Sequence, residues 1–336
     1  MTISQYRSVV LGVLLVAAGC TKHKDDAPAG PAVNGSSIAY VLNDNFTFSQ
    51  FHQDLVQAGL IDTLSGTRLF TALAPNNDAY LLTGGDPLAR LYTGQDLWTA
   101  TAYHILVDSI VFGPMPLVQN KPLITVAGQP VFFSRYEEAG DTITTVNGVR
   151  PVSMDNPATN GPIQVMSQLL NPLVYPNLDG RMRDDTLLTL FCALLQRAGM
   201  DSLLAGNDVY TVLAPDNNSL RSTAGQPGSL DLSSLDRIAA ADRDTVRNLL
   251  MYCVMKDRWF LGDFYHSEYT QPAGVTMLNG ETIGITGSPD VYHSIRFTGA
   301  SGSPAALHEY VVQRYNYADI PVGNGVLHIL NHVLIP

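Results

Sequence analysis

Hydrophobic positions fall into two spacings along this chain. In FTFSQFHQDLVQAGL, residues 46–60, Phe48, Phe51 and Leu55 recur at the period of one helix face, and Gly59 marks a stop. Residues 69–74 form an apolar run that predicts a buried strand, and Pro75, Asn76, Asn77 and Asp78 turn out of it. Asp96 is placed to cap a helix that runs through Val107, with Leu97, Ala100, His104 and Val107 on one side. LITVAGQPVFF and DTITTVNGV then read as strands, with Asn147-Gly148 as a hairpin turn. Residues 163–170 predict a buried strand and a short turn. The series then starts again. Residues 186–199 predict a helix with Leu187, Phe191, Leu194 and Leu195 inward, and Asp242 opens another that packs Val246, Leu249, Leu250 and Cys253.

The restart is literal. NGPIQVMSQLLNP, residues 160–172, recurs as NGVLHILNHVLIP, residues 324–336. Ile163, Val165, Met166, Leu169 and Leu170 stand against Leu327, Ile329, Leu330, Val333 and Leu334, while Gln164 and Gln168 stand against His328 and His332. Matched apolar positions with differing polar ones describe a packing element rather than a catalytic or metal site. Upstream, Asp155-x-Pro157 matches Asp319-x-Pro321, FTALAPNNDAY (70–80) matches YTVLAPDNNSL (210–220), and Ala58-Gly59 matches Ala198-Gly199. The unit is domain-sized and too long for a solenoid repeat. The pattern predicts two tandem domains, 38–174 and 183–336, with PNLDGRMRD breaking the apolar pattern between them.

The shift between copies grows along the chain: 140 residues from Phe70 to Tyr210, 149 from Tyr103 to Tyr252, and 164 from Asn160 to Asn324. The second unit has therefore gained residues in its middle loops. GSPDVYHSIRFTGASGSP, residues 287–304, is rich in turn-formers and carries Tyr292, His293, Arg296 and Phe297. Those four are candidate interaction residues, because loops carry binding more often than cores do. The alternative is a hairpin extension without a partner.

These motifs resemble the fasciclin-like domain family. Its members carry an early Phe-Thr-x-x-Ala-Pro-x-Asn segment, a Tyr-His pair and a terminal Asn-Gly-x-Ile-His segment. The first unit has FTALAPNNDAY, Tyr103-His104 and the terminal segment with Gln164 in place of the His. The second has YTVLAPDNNSL, Tyr252-Cys253 and His328. The resemblance covers the chain after about residue 37. It implies an α+β fold in which each domain is a β-sandwich wedge with packed helices. In some animal relatives the Tyr-His pair is linked to integrin binding, which makes Tyr103 and His104 candidate interaction residues. The residue-level reading of His104 is a buried imidazole satisfying a hydrogen bond.

At the amino terminus, Arg7 precedes the apolar run VVLGVLLVAAG and then Cys20. A basic start, a short apolar core and small residues before a cut site describe a secretory signal over residues 1–19. The run is too short to span a bilayer comfortably. Ala18-Gly19-Cys20 resembles a lipobox, with Cys20 as the lipidated residue. Residues 20–37, polar and rich in Pro and Gly, then read as a disordered tether. Thr21 is not the Asp that resembles an inner-membrane retention signal, and the charges of the tether resemble those of surface-displayed lipoproteins of Bacteroidetes-type bacteria. The expectation is an exported outer-membrane lipoprotein, surface-exposed.

A net charge of -11 without a basic block speaks against nucleic-acid partners. Cys192 and Cys253 sit in apolar, helix-like runs, either as a disulfide, which an exported compartment permits, or as two buried thiols. There is no glycine-rich phosphate loop and no Gly-x-Ser-x-Gly elbow. His328 and His332 have helical zinc spacing but no Glu between them, and their apolar flanks fit a strand. No enzyme activity, cofactor or metal is expected. The leading reading is a cell-surface protein of adhesion or protein interaction, held to a membrane by its lipid, with a protein or polysaccharide partner. The alternative is a glycan or small-ligand binding module of a nutrient-uptake system.

Overall fold

The computed structural model describes residues 37–81, 88, 95–138, 140–225, 230–270, 274–286, 295–302, 304–306 and 318–336. Cys20, the signal and most of the tether, Tyr292 and His293 lie outside them. The first domain runs α1 (Ile38–Asp44), α2 (Ser49–Gln57), α3 (Ile61–Ser65), β1 (Phe70–Pro75), α4 (Asn77–Leu81), α5 (Gln95–Ala102), β2 (Ile105–Val107), β3 (Val118–Ile124), β4 (Pro130–Glu138), β5 (Asp141–Val146), β6 (Pro151–Ala158) and β7 (Gly161–Met166). One sheet has the order β2-β1-β7-β6 and the other β3-β4-β5.

The two recurring sequence motifs meet in space. β1 comes from the early motif and β7 from the terminal one, and they pair in parallel with Ala72 opposite Ile163 and Pro75 opposite Met166. A central pair covered on both faces explains why both segments are almost unbroken apolar runs. Successive side chains point to opposite faces. Ala72, Ala74 and Ile163 therefore pack with Phe51, Leu55 and Tyr80 under the helices, while Leu73 and Met166 pack with Tyr103, Phe112, Val131 and Phe133 under the second sheet. Each fully buried Leu or Phe in these layers contributes about 1.5–3 kcal/mol.

The second domain repeats the plan with α6 (Leu178–Arg183), α7 (Thr189–Ala198), α8 (Asp201–Ala205), β8 (Tyr210–Pro215), α9 (Asn217–Arg221), α10 (Leu235–Ala240), α11 (Arg243–Met251), β9 (Val254–Lys256), α12 (Leu261–Thr270), β10 (Val275–Thr276), β11 (Thr282–Thr286), β12 (Arg296–Thr298), β13 (Pro304–Ala306), β14 (Ile320–Val322) and β15 (Gly325–Leu330). Its sheets have the orders β14-β15-β8-β9 and β10-β11-β12-β13, and β15 is parallel to β8 with Leu327 opposite Val212. The expected α+β architecture of two tandem domains is what the chain adopts.

Three sequence expectations change. The helix opened near Asp96 stops at Ala102, and Ile105–Val107 leaves it to pair with β1. The branched side chains Ile105 and Val107 favour that strand, and a sheet edge was available to receive it. The segment left between the domains also has an owner. Leu178 and Met182 of α6 are fully buried in the second core, and the Gly323 N–H donates to the Tyr175 carbonyl at 3.0 Å. The second domain therefore begins at Tyr175, ahead of residue 183. Arg296 and Phe297 are not loop residues but part of β12; Phe297 is fully buried while Arg296 is exposed. Of the two readings open for Cys192 and Cys253, the chain adopts the free thiols.

Candidate functional site

The polar residues inside the recurring motifs form matched clusters in the two domains. Asn160 lies at the start of β7. Its Oδ1 accepts from the Ile38 N–H at 2.8 Å, and its Nδ2 donates to the carbonyls of Leu64 at 2.8 Å and Gly66 at 3.1 Å. Asn324 does the same at the start of β15, with the Leu178 N–H and the carbonyls of Leu204 and Gly206. The glycine that follows each is fixed by sterics. A Cβ at Gly161 would sit 1.7 Å from the Phe70 carbonyl oxygen, and one at Gly325 would sit 2.0 Å from that of Tyr210.

Asn77 and Asn217, in the early motif, clamp the start of an earlier helix in each domain, α2 and α7. Asn77 donates to the Phe46 carbonyl and accepts from the Gln50 N–H; Asn217 donates to the Thr186 carbonyl and accepts from the Leu190 N–H. Thr71 and Thr211 donate to the carbonyls of Asp108 and Asp257 and accept from the N–H groups of Ile110 and Trp259. Asp108 and Asp257 hold matching left-handed conformations, φ 74° and 67°.

Position 164/328 differs in residue type but not in role. Gln164 Oε1 accepts from the Asp155 N–H at 2.8 Å, and its Nε2 donates to the Asp155 carboxylate at 2.7 Å and to the Ile110 carbonyl at 3.4 Å. His328 Nδ1 accepts from the Asp319 N–H at 3.2 Å, and its Nε2–H donates to the Trp259 carbonyl at 2.8 Å. A carbonyl can only accept, so His328 is the neutral Nε2–H tautomer. Burial pushes its pKa down to about 4. Both ring nitrogens are engaged with backbone, and His332 stands exposed beyond the strand. The pair does not converge as metal ligands, and among the described residues no His, Cys, Asp or Glu group has metal-binding geometry.

Tyr103 and His104 are fully buried. The Tyr103 hydroxyl donates to the Pro130 carbonyl at 3.0 Å and accepts from Asn147 Nδ2 at 2.9 Å. Tyr252 repeats this, donating to the Thr282 carbonyl and accepting from the Ala300 N–H. His104 Nδ1–H donates to the Ala100 carbonyl at 2.8 Å, and its Nε2 accepts from the Leu170 N–H at 2.9 Å. Burial again holds this imidazole down to about 4. These contacts correct the expectation that the pair offers its side chains to a partner: both face the core. Cys253, the counterpart of His104, is a buried thiol pushed up to about 12. Arg296 is the described candidate that reaches solvent, and Phe297 is core.

Residue reading missed the asparagine and threonine clamps. Their signal was present, because Asn77/Asn217, Asn160/Asn324 and Thr71/Thr211 are polar residues identical at the same register of both copies.

A family model for the fasciclin domain matches this chain twice, at residues 46–172 and 186–336. Among curated proteins, transforming growth factor-beta-induced protein ig-h3 of Sus scrofa is 25% identical over 301 residues, covering 86% of this chain and 38% of its own length. Periostin of Homo sapiens is 24% identical over 250 residues, covering 71% of this chain and 26% of its own. Protein sll1483 of Synechocystis is 28% identical over 139 residues, covering 40% of this chain and 73% of its own. The chain thus spans well under half the length of ig-h3 and periostin. Among solved structures, a FAS1 domain pair from the insect cell adhesion molecule Fasciclin I covers 87% of this chain and 98% of that one, at 15% identity and a TM-score of 0.40.

Proposed function

The chain belongs to the fasciclin domain family, and from that premise we propose that it is a non-catalytic protein of adhesion or protein interaction, held to a membrane by a lipid on Cys20. The observation that carries the non-catalytic part is the use made of the motif polar groups. Both buried histidines have both ring nitrogens committed to backbone, and the motif asparagines and threonines hold helix and strand ends together. General acid–base chemistry needs a group free to exchange a proton with a substrate near working pH. Imidazoles held down to about 4 and sealed in the cores do not offer one. The motifs make a scaffold, and recognition falls to the surface they hold up. The family relationship supports adhesion as the use of that surface, and two domains on one chain raise avidity through effective concentration.

The lipid and the exported, outer-membrane location rest on the run before Cys20 and the polar tether after it. Cells bearing the chain are expected to adhere to a partner surface, and soluble chain starting near Ser36 to compete with them. Replacing Cys20 with Ala should move the folded protein from the membrane to the soluble fraction and abolish adhesion with it. A Cys20→Ala protein that still sediments with membranes removes the lipid anchor from the proposal. Adhesion that soluble chain fails to inhibit removes the interaction role.

A further inference from the structure

Residues 34–336 form one compact unit, and the two domains meet along a defined seam. β4 of the first domain lies against the start of α12 in the second. Phe132 and Phe260 are 6.0 Å apart between ring centres and pack with Val326, and the Arg258 guanidinium lies 4.1 Å above the Phe132 ring. The Tyr136 hydroxyl donates to the Gly262 carbonyl at 2.7 Å, and its ring stacks on His266.

A carboxylate sits in the middle of this contact. Asp263 is 2% exposed. From its own domain, Oδ2 accepts from the Phe260 N–H at 2.9 Å, the reciprocal half of a helix cap. From the other domain Oδ2 accepts from Asn120 Nδ2 at 3.2 Å and Oδ1 from the Ser134 hydroxyl at 3.4 Å, both neutral donors. A second carboxylate, Asp319, lies alongside, half-buried where the loop before β14 meets the Gly148 turn, and accepts from the Leu261 N–H at 2.7 Å.

Among the described residues, the cation nearest them, Arg258, is engaged elsewhere. Arg258 donates to the carbonyls of Val322, Gly323 and Gly325, and the ion pairs among the described residues all lie away from the seam. Among the described residues, the other titratable groups facing the seam are Tyr103, whose hydroxyl burial holds well above its usual value, Tyr136, the buried His328 behind Asp319, and His266, whose imidazole burial holds below its usual value.

We propose that this seam is a proton-sensitive joint: the two domains dock more tightly when Asp263, seconded by Asp319, carries a proton, and loosen when it is ionised. A buried carboxylate without a cation favours its neutral form, because desolvation penalises the charge. Burial raises Asp263 to about 6, and Asp319 is raised too, by burial first and by the charge of Asp263 after it. Undocking would expose Asp263 to water and return it toward the ordinary carboxylate value. A pKa raised by docking gives an interaction fully present below the undocked pKa and lost as pH rises through the docked one. The joint is therefore tight near the acid end of a window from about pH 4 to about pH 6, and looser above it.

Energy transfer between dyes on cysteines introduced at the exposed positions Val152 and Leu235 of the intact chain reads docking directly. The native Cys192 and Cys253 thiols are held up to about 11 and about 12, which keeps them out of the labelling, and Cys20 is replaced by Ala. Enough urea is added to populate undocked molecules. The undocked-to-docked ratio should be about tenfold lower at about pH 5 than at about pH 7.5, since each pH unit below a raised pKa is a factor of ten. Asp263→Asn keeps acceptors for the helix cap but cannot titrate, and most of that change should vanish. Ser134→Ala leaves the cap intact and removes a donor to the ionised form, so the midpoint of the pH profile should move upward; this variant decides the matter if Asp263→Asn does not fold. His266→Gln should retain the change. The proposal is overturned by a ratio that is the same at both pH values, by a shift that survives Asp263→Asn, by one that disappears with His266→Gln, or by domains that never separate short of unfolding.

Discussion

Gln164 and His328 are different residues that satisfy the same two backbone groups, the N–H of Asp155 or Asp319 and the carbonyl of Ile110 or Trp259. Sequence comparison of the copies made this position look free to vary, because it scores residue identity and not hydrogen-bond geometry. An amide and a neutral imidazole each offer a donor nitrogen and a separate acceptor atom at the end of the side chain. His328→Gln should therefore leave stability within about 1 kcal/mol, whereas His328→Ala, which orphans two buried backbone groups, should cost about 1–3 kcal/mol. The swap has a second signature. A histidine held neutral by burial contributes stability that is complete above its ordinary pKa of 6.5 and is lost as pH falls toward 4, at about 1.4 kcal/mol per pH unit. Urea melts at about pH 7 and about pH 5 should show His328→Gln losing less stability on acidification than the native protein. A glutamine variant as unstable as the alanine one would sink the equivalence.

At the level of elements, most of the design was legible as pattern. The apolar runs at 70–75 and 161–166 are β1 and β7, the helix stripes of Phe51 and Leu55 and of Phe191, Leu194 and Leu195 are buried as their spacing requires, and Asp242 caps α11 through the Thr245 N–H. What pattern could not give was which elements touch. The pairing of β1 with β7 joins segments about ninety residues apart, and short-range periodicity carries no information about such contacts. The same limit hid the reason for Asn-Gly at the head of each terminal motif, which reads locally as a turn. In the fold, the asparagine ties α1 and the end of α3 to β7, and the glycine lets the chain pass against β1. Asn160→Ala leaves the Ile38 N–H and two carbonyls without their partner, so it should cost the first domain about 2–4 kcal/mol. Gly161→Ala should cost more, because the obstruction is the backbone oxygen of a central strand, which cannot move aside. Denaturant melts order the two variants, and an alanine at Gly161 that is tolerated better than one at Asn160 would contradict this account.

Across the whole molecule, the question is where one domain ends. Each domain buries its own pair of apolar layers, and the cluster of Phe132, Phe260 and Val326 that joins them is small beside these. The polar run PNLDGRMRD looked like a linker because its sequence is charged and contains Gly180. Yet Asn177 caps α6 by accepting from the Gly180 N–H, and the Leu178 N–H is held by Asn324, the counterpart of the bond between Ile38 and Asn160. Two side chains, Leu178 and Met182, suffice to fix this helix to the second core, too few to register as a periodic stripe in so short an element. The position of a cut therefore matters. A second-domain fragment starting at residue 174 keeps Tyr175 and α6 and should melt cooperatively by itself. A fragment starting at residue 184 loses the burial of Leu178 and Met182, about 3–6 kcal/mol together, a large share of the roughly 5–15 kcal/mol that holds a domain folded. It should melt far lower or fail to fold. Circular-dichroism melts of the two fragments distinguish the cases. Equal midpoints would return α6 to the linker, and the absence of a cooperative transition in the longer fragment would mean that its core depends on the first domain.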